Sequence, residues 1–314
     1  MHRAIDFRTL IAVGLLLLVS ALPSGAQDRD DAERVVLRAE KNADRSTIAV
    51  YRDEEAEPIL VQNAPRETRP YIHPIEAPDG NGVLTQIRPG HHTHQTGLYW
   101  GFKRLNGRDY FAACCKPDTT GYYRRVSYHV VRGRGPQVRW QTVYDLLDED
   151  GDPVLTETQS WTMQKVGDEF LIDLEWRGEA KVDVTIGEFF VGGLFLRMPW
   201  HEGVAGEVVN ASGRAGSEAE AQRAPWIDVG MEIEGREDWG HIAMLDHPEN
   251  AGFPIPWRVD GQMGVGPSRQ IMGDWHLPAG QEEIIRYRII AYTGELRPLE
   301  MNRRWSAFAI DGPR

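Results

Sequence analysis

The chain has 314 residues, with 35 Lys and Arg against 47 Asp and Glu, and a formal net charge of −12. Its 41% hydrophobic and 26% charged residues are typical of a folded globular protein, which excludes a disordered tail, a collagen-like chain and a polytopic membrane protein. The acidic balance argues against nucleic-acid binding, because contacts to phosphates need clustered Lys and Arg.

The first 26 residues have the pattern of a secretory signal peptide. Arg3 and Arg8 give a basic start, residues 10–22 are an apolar run of 13, and Ala26 ends a small-residue cleavage site. A transmembrane helix needs about 20 apolar residues, so this run is too short to span a bilayer. We therefore expect a periplasmic or extracellular protein without stable membrane insertion. The alternative is a single N-terminal membrane anchor.

The charged residues 27–45 predict a linker or a short helix, and a new pattern begins at residue 46. From there apolar and polar residues alternate, which is the period of strands that place one face on a core. Turn sequences separate these strands, and no βαβ rhythm is present. The pattern predicts an all-β fold, a large antiparallel β-sandwich of supersandwich or jelly-roll type. The alternating apolar residues include Val126, Tyr128, Val130, Val138, Trp140, Val143, Phe170, Ile172, Leu174, Trp176, Ile285, Tyr287 and Ile289.

The C-terminal region has helical rather than alternating spacing. Residues 298–310 predict a short terminal helix with Leu299, Trp305 and Phe308 facing inward. No break in composition marks a second domain, so residues 46–314 are predicted to form a single β-sandwich domain. Cys114 and Cys115 are adjacent and could pair only in a strained ring, so their redox state stays open.

The densest functional signal is a group of three histidines within four residues, His91, His92 and His94. In an extended segment, His92 and His94 point to one face and His91 points to the other. Two imidazoles on one face can bracket a substrate or form half of a metal site, whose remaining ligands must come from elsewhere. The cofactor is left open, with a divalent metal on His92 and His94 as the candidate. The alternative is a polar loop whose histidines cap backbone groups.

A second group of polar side chains follows an apolar stretch that ends at residue 245. Asp246, His247, Asn250, Trp257 and Arg258 occur within 13 residues and could form a pocket wall. Asp, Asn and Arg bind hydroxyl pairs, and aromatic rings stack on sugar faces. The alternative is a proline-rich turn in which Asp246 and Asn250 bond the backbone.

Four further residues are candidates for ligand binding. Arg197 lies in an apolar run, where a charge must be paired within the protein or bind a polar ligand. Trp226 and Asp228 form a short polar–aromatic motif. His73 precedes a proline and is therefore expected in an extended segment.

These motifs, in chain order, resemble those of one family of secreted bacterial proteins. The motifs are Arg69-Pro70-Tyr71-Ile72-His73-Pro74, Pro78-Asp79-Gly80, residues 91–101, Asn106-Gly107, Gly192-Gly193-Leu194 with Arg197, Trp226-Ile227-Asp228, and Asp246-His247-Pro248 with Asn250. They resemble the PmoA family, labelled methane oxygenase, over about residues 69–308. The resemblance implies a β-sandwich and, by that label, a metal-dependent oxygenase. Where the family has His-His-Arg-Gly, this chain has His94-Gln95-Thr96-Gly97.

Two classes of function fit these observations. The first is a secreted carbohydrate-active enzyme, an epimerase, lyase or hydrolase, that uses histidines for acid–base chemistry on a sugar. Its catalytic residues are His92, His94 and His247. Its substrate-binding residues are His73, His91, Arg197, Trp226, Asp228, Asp246, Asn250, Trp257 and Arg258.

The second class is a non-catalytic glycan-binding module, and in both classes the partner is a glycan or another small molecule. Catalysis predicts that His92, His94 and His247 converge in one pocket. A binding module predicts a shallow, exposed face of Trp and Tyr side chains.

Overall fold

The computed structural model describes residues 35–90, 92–114 and 119–311. The predicted signal peptide and His91 lie outside the described residues. The strands are β1 (Leu37–Asn42), β2 (Thr47–Arg52), β3 (Leu60–Asn63), β4 (Tyr71–Ile75), β5 (Leu98–Gly101), β6 (Tyr123–Arg132), β7 (Arg134–Gly135), β8 (Gln137–Leu147), β9 (Pro153–Val166), β10 (Glu169–Ala180), β11 (Val184–Ile186), β12 (Gly193–Leu196), β13 (Gly206–Asn210), β14 (Trp226–Glu232), β15 (Trp239–Asp246), β16 (Trp257–Val259), β17 (Val265–Pro267), β18 (Trp275–Leu277) and β19 (Glu282–Thr293). The one α-helix of the described residues is α1 (Pro298–Asp311), and short 3-10 helices lie at Gly216–Ala219 and Arg269–Met272.

Two large antiparallel sheets pack face to face. The nine-stranded sheet has the order β16-β17-β12-β5-β4-β3-β2-β1-β7, and the eight-stranded sheet has the order β13-β14-β15-β19-β10-β9-β8-β6. Strands β11 and β18 form a small separate sheet. The predicted all-β class and antiparallel β-sandwich are therefore confirmed.

The core lies between the two sheets and is rich in aromatic residues. Trp100 of β5 stacks on Trp176 of β10, with ring centroids 4.7 Å apart and planes 13° from parallel. Side chains alternate across each strand, so Tyr99 and Phe195 point to the outer face of the nine-stranded sheet. These outward rings contact each other at 5.6 Å between centroids.

Helix α1 covers the outer face of the eight-stranded sheet. Phe308 and Met301 are buried against residues such as Ile290, and Trp305 is half-buried. The predicted C-terminal helix is confirmed, but its predicted inward residue Leu299 is 77% exposed. Met301, two positions later, takes the buried place, because the contact with the sheet sets the rotation of the helix. No helix in the described part of the chain is long and apolar enough to cross a membrane.

Two local predictions are wrong. Residues 37–42, expected in a linker or short helix, form β1, because Leu37 and Ala39 alternate into the core and β1 pairs with both β2 and β7. Val126, expected on a buried face, is 57% exposed. The pairing of β6 with β8 shifts between Arg125 and Ser127, and such a bulge changes which side chains face inward.

Candidate functional site

The segment that carries His92 and His94 is part of a closed loop on the outer side of the nine-stranded sheet. This segment, the histidine loop, comprises the described residues 88–90 and 92–97. The Arg88 N–H donates to the Gln95 carbonyl at 2.7 Å, and the His92 N–H donates to the Pro89 carbonyl at 2.8 Å. The rings of His92 and His94 lie edge to face with centroids 5.6 Å apart. The loop therefore brings these two predicted catalytic residues together.

His94 is half-buried beside an aromatic ring and several cations. Its ring centroid lies 6.0 Å from that of Phe111. Burial, which is the largest cause, and the positive charges of Arg69, His92 and Lys103 together lower the pKa of His94 to about 4. The His94 ring is therefore neutral at neutral pH and can accept a proton.

Arg69 places a buried positive charge under the histidine loop. Its Cζ lies 3.4 Å from the centroid of the Tyr99 ring, and its Nη2 donates to Thr96 Oγ1 at 3.2 Å and to the His94 carbonyl. Its Nε and Nη1 have no hydrogen-bond partner of good geometry. Burial lowers the pKa of Arg69. The guanidinium anchors the loop and keeps a cation close to His94.

Arg197 joins β12 to the histidine loop. Its Nη2 lies 2.7 Å from Asp260 Oδ2, its Nε donates to Gln95 Oε1, and its Nη1 donates to the Gln262 carbonyl. The side chain is fully buried. The predicted ligand-binding role is not supported, because all three guanidinium nitrogens are engaged within the protein.

His73 lies on the same outer face as the histidine loop. Its Nδ1 is 2.9 Å from Thr85 Oγ1, and burial lowers its pKa. The side chains of His73 and Thr85 line a depression that is also lined by Pro199 and Ile233. His73 thus lies on the same face of the fold as the histidine loop, but in the wall of an adjoining depression.

His247 lies on the other sheet. Its ring packs edge to face against Phe308 of α1 with centroids 5.0 Å apart, and its Nδ1 accepts the Glu249 N–H at 3.2 Å. It therefore belongs to the side of the eight-stranded sheet that α1 covers. The expected convergence of His247 with His92 and His94 is not observed, because both sheets and the core lie between them.

Asp246 and Asn250 stabilise the turn after β15. The Asn250 Nδ2 donates to Asp246 Oδ1 at 2.7 Å, and the Ile255 N–H donates to Asp246 Oδ2 at 2.8 Å. The side chains of Asp246 and Asn250 are both buried. The turn interpretation of this motif accounts for these contacts, and no pocket wall shared with the histidine loop is formed.

The remaining predicted binding residues also have partners within the fold. Trp226 and Trp257 are at most 1% exposed, and Asp228 is buried on the face that α1 covers. Arg258 lies on the outer face of the nine-stranded sheet, where its Nη1 is 2.5 Å from Glu220 Oε1. The predicted set is thus distributed over both sheets and does not form one site, because the order of the strands separates segments that are close in sequence.

One family model matches residues 40–306 and describes a family of unknown function, DUF6807. The chain belongs to the DUF6807 family. No curated protein matches its sequence. The match does not address the resemblance to the PmoA family, which stays a prediction.

Several solved structures are similar to the DUF6807 chain. The α-galactosidase AgaB of Geobacillus stearothermophilus has a TM-score of 0.42 and 10% identity, covering 81% of this chain and 40% of that one. The galactose 1-epimerase of Lactobacillus acidophilus has a TM-score of 0.39 and 7% identity, covering 83% and 98%. The α-galactosidase of Lactobacillus brevis has a TM-score of 0.38 and 10% identity, covering 83% and 40%. The DUF6807 chain thus spans about 40% of the length of the two α-galactosidases.

Sequence reasoning about the DUF6807 chain missed the residues that surround His94. Arg69, Tyr99 and Phe111 were not among the candidates for chemistry. One signal was present: residues 98–102 are almost continuously apolar, which is typical of a strand buried on both faces. Such a strand implies that its outer face is covered, here by Arg69, Phe111 and the histidine loop.

The described residues of the DUF6807 chain contain no group of three or more His, Cys, Asp or Glu side chains able to hold a metal ion. Within this part of the chain, no third ligand therefore accompanies His92 and His94. Cys114 is disulfide-bonded, whereas Cys115 lies outside the described residues.

The buried carboxyl group of Asp246 makes the stability of the DUF6807 chain depend on pH. Burial raises its pKa to about 7 from 3.8, although hydrogen bonds from Ile255 and Asn250 oppose the rise. Between these values the folded chain holds a proton that the unfolded chain has lost, so the free energy of unfolding falls as pH rises. We expect Asp246→Asn to flatten the decrease in Tm between about pH 5 and pH 7, measured by circular dichroism. Equal slopes for the two proteins would contradict this assignment.

Proposed function

We propose that the protein is a secreted carbohydrate-active enzyme that uses His94 as a general base and His92 as its proton-transfer partner. The observation that supports this most directly is the environment of His94. A half-buried, neutral imidazole lies beside another imidazole and close to the cations Arg69 and Lys103. An imidazole in this environment stays unprotonated at neutral pH, so its ring nitrogen is available to accept a proton from a bound substrate.

The positive charges of Arg69 and Lys103 complement the negative charge that such a reaction develops on the substrate. Removing a proton from a sugar hydroxyl, or from a carbon next to a carbonyl, leaves negative charge on oxygen. Arg69 is held rigidly over Tyr99, and Lys103 is held by its ion pair with Asp109. Fixed positive charges of this kind stabilise a developing oxyanion without reorganisation. The protonated His94 is more acidic than an ordinary imidazolium, which favours return of the proton.

The distribution of tryptophans does not favour the alternative, a broad glycan-binding platform. Seven of the ten Trp side chains are at most 5% exposed, and the other three are half-buried. A shallow exposed aromatic face, which a binding module predicts, is therefore not formed by the tryptophans.

Nuclear magnetic resonance in D₂O tests the proposed reaction whether it is an epimerisation, an elimination or a hydrolysis. The protein is incubated with cellohexaose, maltohexaose, mannohexaose or hexagalacturonate. Deuterium incorporation indicates epimerisation, a vinylic proton indicates elimination, and new anomeric signals indicate hydrolysis. We expect one of these changes with at least one sugar and its loss in His94→Gln. A change that is equal in both proteins would overturn the role of His94.

A further inference from the structure

Two depressions that share Gln86 lie next to the histidine loop. One depression of about 400 Å³ is lined by Gln86, Pro89, Gly90, Trp200 and Gln262. A second, of about 620 Å³, is lined by Thr85, Gln86, Pro199 and other residues. Gln86 lines both depressions. Trp200 lines the first, and its sequence neighbour Pro199 lines the second. We refer to the two together as the Trp200 groove.

The lining of the Trp200 groove combines an apolar wall with side-chain amides and carboxylates. Trp200 and Pro89 present apolar surface, on which the C–H faces of a pyranose ring can pack. The side-chain amide of Gln262 offers a donor and an acceptor, which matches adjacent sugar hydroxyls. Gln86 contributes a second side-chain amide to the lining of both depressions.

The charge of the groove favours a neutral ligand. The described residues that line its two depressions include Glu202 and Glu234 but no Lys or Arg. An acidic glycan would therefore meet two carboxylates without a compensating cation. The volume of each depression falls within the range of about 300–1,000 Å³ that is usual for ligand pockets. The two depressions together therefore have more volume than a single sugar requires.

The groove and the proposed catalytic residues share one loop. Pro89 and Gly90, which form a wall of the groove, belong to the histidine loop, and the His92 N–H donates to the Pro89 carbonyl at 2.8 Å. A sugar chain in the groove therefore passes along the segment that holds His92 and His94.

We propose that the Trp200 groove binds a neutral oligosaccharide of two or more pyranose units, so that the substrate is a glycan chain rather than a free monosaccharide. The inference about the substrate rests on the proposed function, but binding in the groove can be measured without turnover.

Gly90 allows the groove to be filled without disturbing the fold. A Cβ added at Gly90 meets no atom within 4 Å. Gly90→Leu therefore adds an apolar side chain at a residue that lines the groove, and its Cβ meets no neighbouring atom. Gly261→Leu is the matched control, because a Cβ there also meets nothing within 4 Å and Gly261 lines a different depression. Trp200→Ala removes the aromatic wall.

Isothermal titration calorimetry with cellohexaose, maltohexaose, mannohexaose and hexagalacturonate, with glucose and mannose as comparators, tests the proposal. We expect at least one neutral hexasaccharide to bind about 10-fold or more tightly than its monosaccharide, and hexagalacturonate not to bind. Gly90→Leu and Trp200→Ala should weaken this binding about 10-fold, whereas Gly261→Leu should not. The proposal is overturned if no neutral hexasaccharide binds at about 5 mM, or if Gly90→Leu binds like the wild type.

The same variants separate this inference from the proposed function. Binding that Gly90→Leu abolishes, without any turnover of the sugars, supports the groove and contradicts the proposed enzyme. Turnover of a monosaccharide that requires His94 but is unaffected by Gly90→Leu supports the enzyme and overturns the groove.

Discussion

Replacing His94 by glutamine is expected to lower turnover by about 10²–10⁴-fold, the usual contribution of a general base. Glutamine keeps the size and hydrogen-bonding capacity of the side chain but cannot take a proton near neutral pH. The main-chain carbonyl of His94, which accepts from Arg69, is retained in the variant, so the loop should keep its conformation. The measurement is the initial rate with whichever hexasaccharide the wild type converts.

The pH dependence of the same rate distinguishes a base from a residue that only shapes the loop. The pKa of His94 is lowered to about 4, so its neutral form persists at pH values where an ordinary histidine, with a pKa of 6.5, is protonated. We expect the limb of the rate profile that depends on His94 to fall only as pH approaches about 4.

The control for His94 is His129→Ala. This side chain is exposed on β6 of the other sheet, so its removal should leave the rate unchanged. Full activity of His94→Gln, or equal loss in both variants, would show that His94 is not the base.

Replacing Arg197 by methionine is expected to lower the free energy of unfolding by about 3–5 kcal/mol, as is usual when one partner of a buried ion pair is removed. Methionine preserves much of the apolar length of the side chain. It leaves the carboxylate of Asp260, which is 8% exposed, without its cation. The Gln95 and Gln262 oxygens also lose a donor. Urea denaturation of the two proteins measures the difference.

A double variant tests whether the cost comes from the unpaired carboxylate. Asp260 Oδ1 also accepts the N–H groups of Gln262 and Gly264 at 2.9 and 2.7 Å. Asparagine at position 260 can keep these bonds through its carbonyl oxygen while removing the charge. We expect Asp260→Asn to restore part of the stability lost in Arg197→Met. Unchanged stability of Arg197→Met, together with weaker sugar binding, would instead make Arg197 a ligand-binding residue.

The sandwich was predictable because alternation is a local property. Strands β10 and β19 were visible in the sequence, since Phe170, Ile172, Leu174 and Trp176 alternate into the core, and so do Ile285, Tyr287 and Ile289. Burial of one face of a strand is encoded by residues two apart, whatever the partner strand is. The terminal helix was visible for the same reason, through its own spacing.

The rotation of that helix and the faces of β6 were not predictable, since they depend on contacts made elsewhere. Leu299 and Met301 are both apolar, and only the docking of α1 on Ile290 and its neighbours selects Met301 for burial. The bulge in β6 arises from its pairing with β8, and it reverses the exposure expected for Val126.

In the candidate site, too, some features were predictable from the sequence and others arose only from the fold. Three histidines in a short segment predicted a functional loop from the sequence, because this residue type is rare and its spacing is local. Strand order placed His247 on the other sheet, and only the folded chain brought Arg69 and Phe111 to His94. Local spacing encodes which face of a strand is buried. Proximity between distant segments, and the burial and charges that lower the pKa of His94, arise only when the sheets pack.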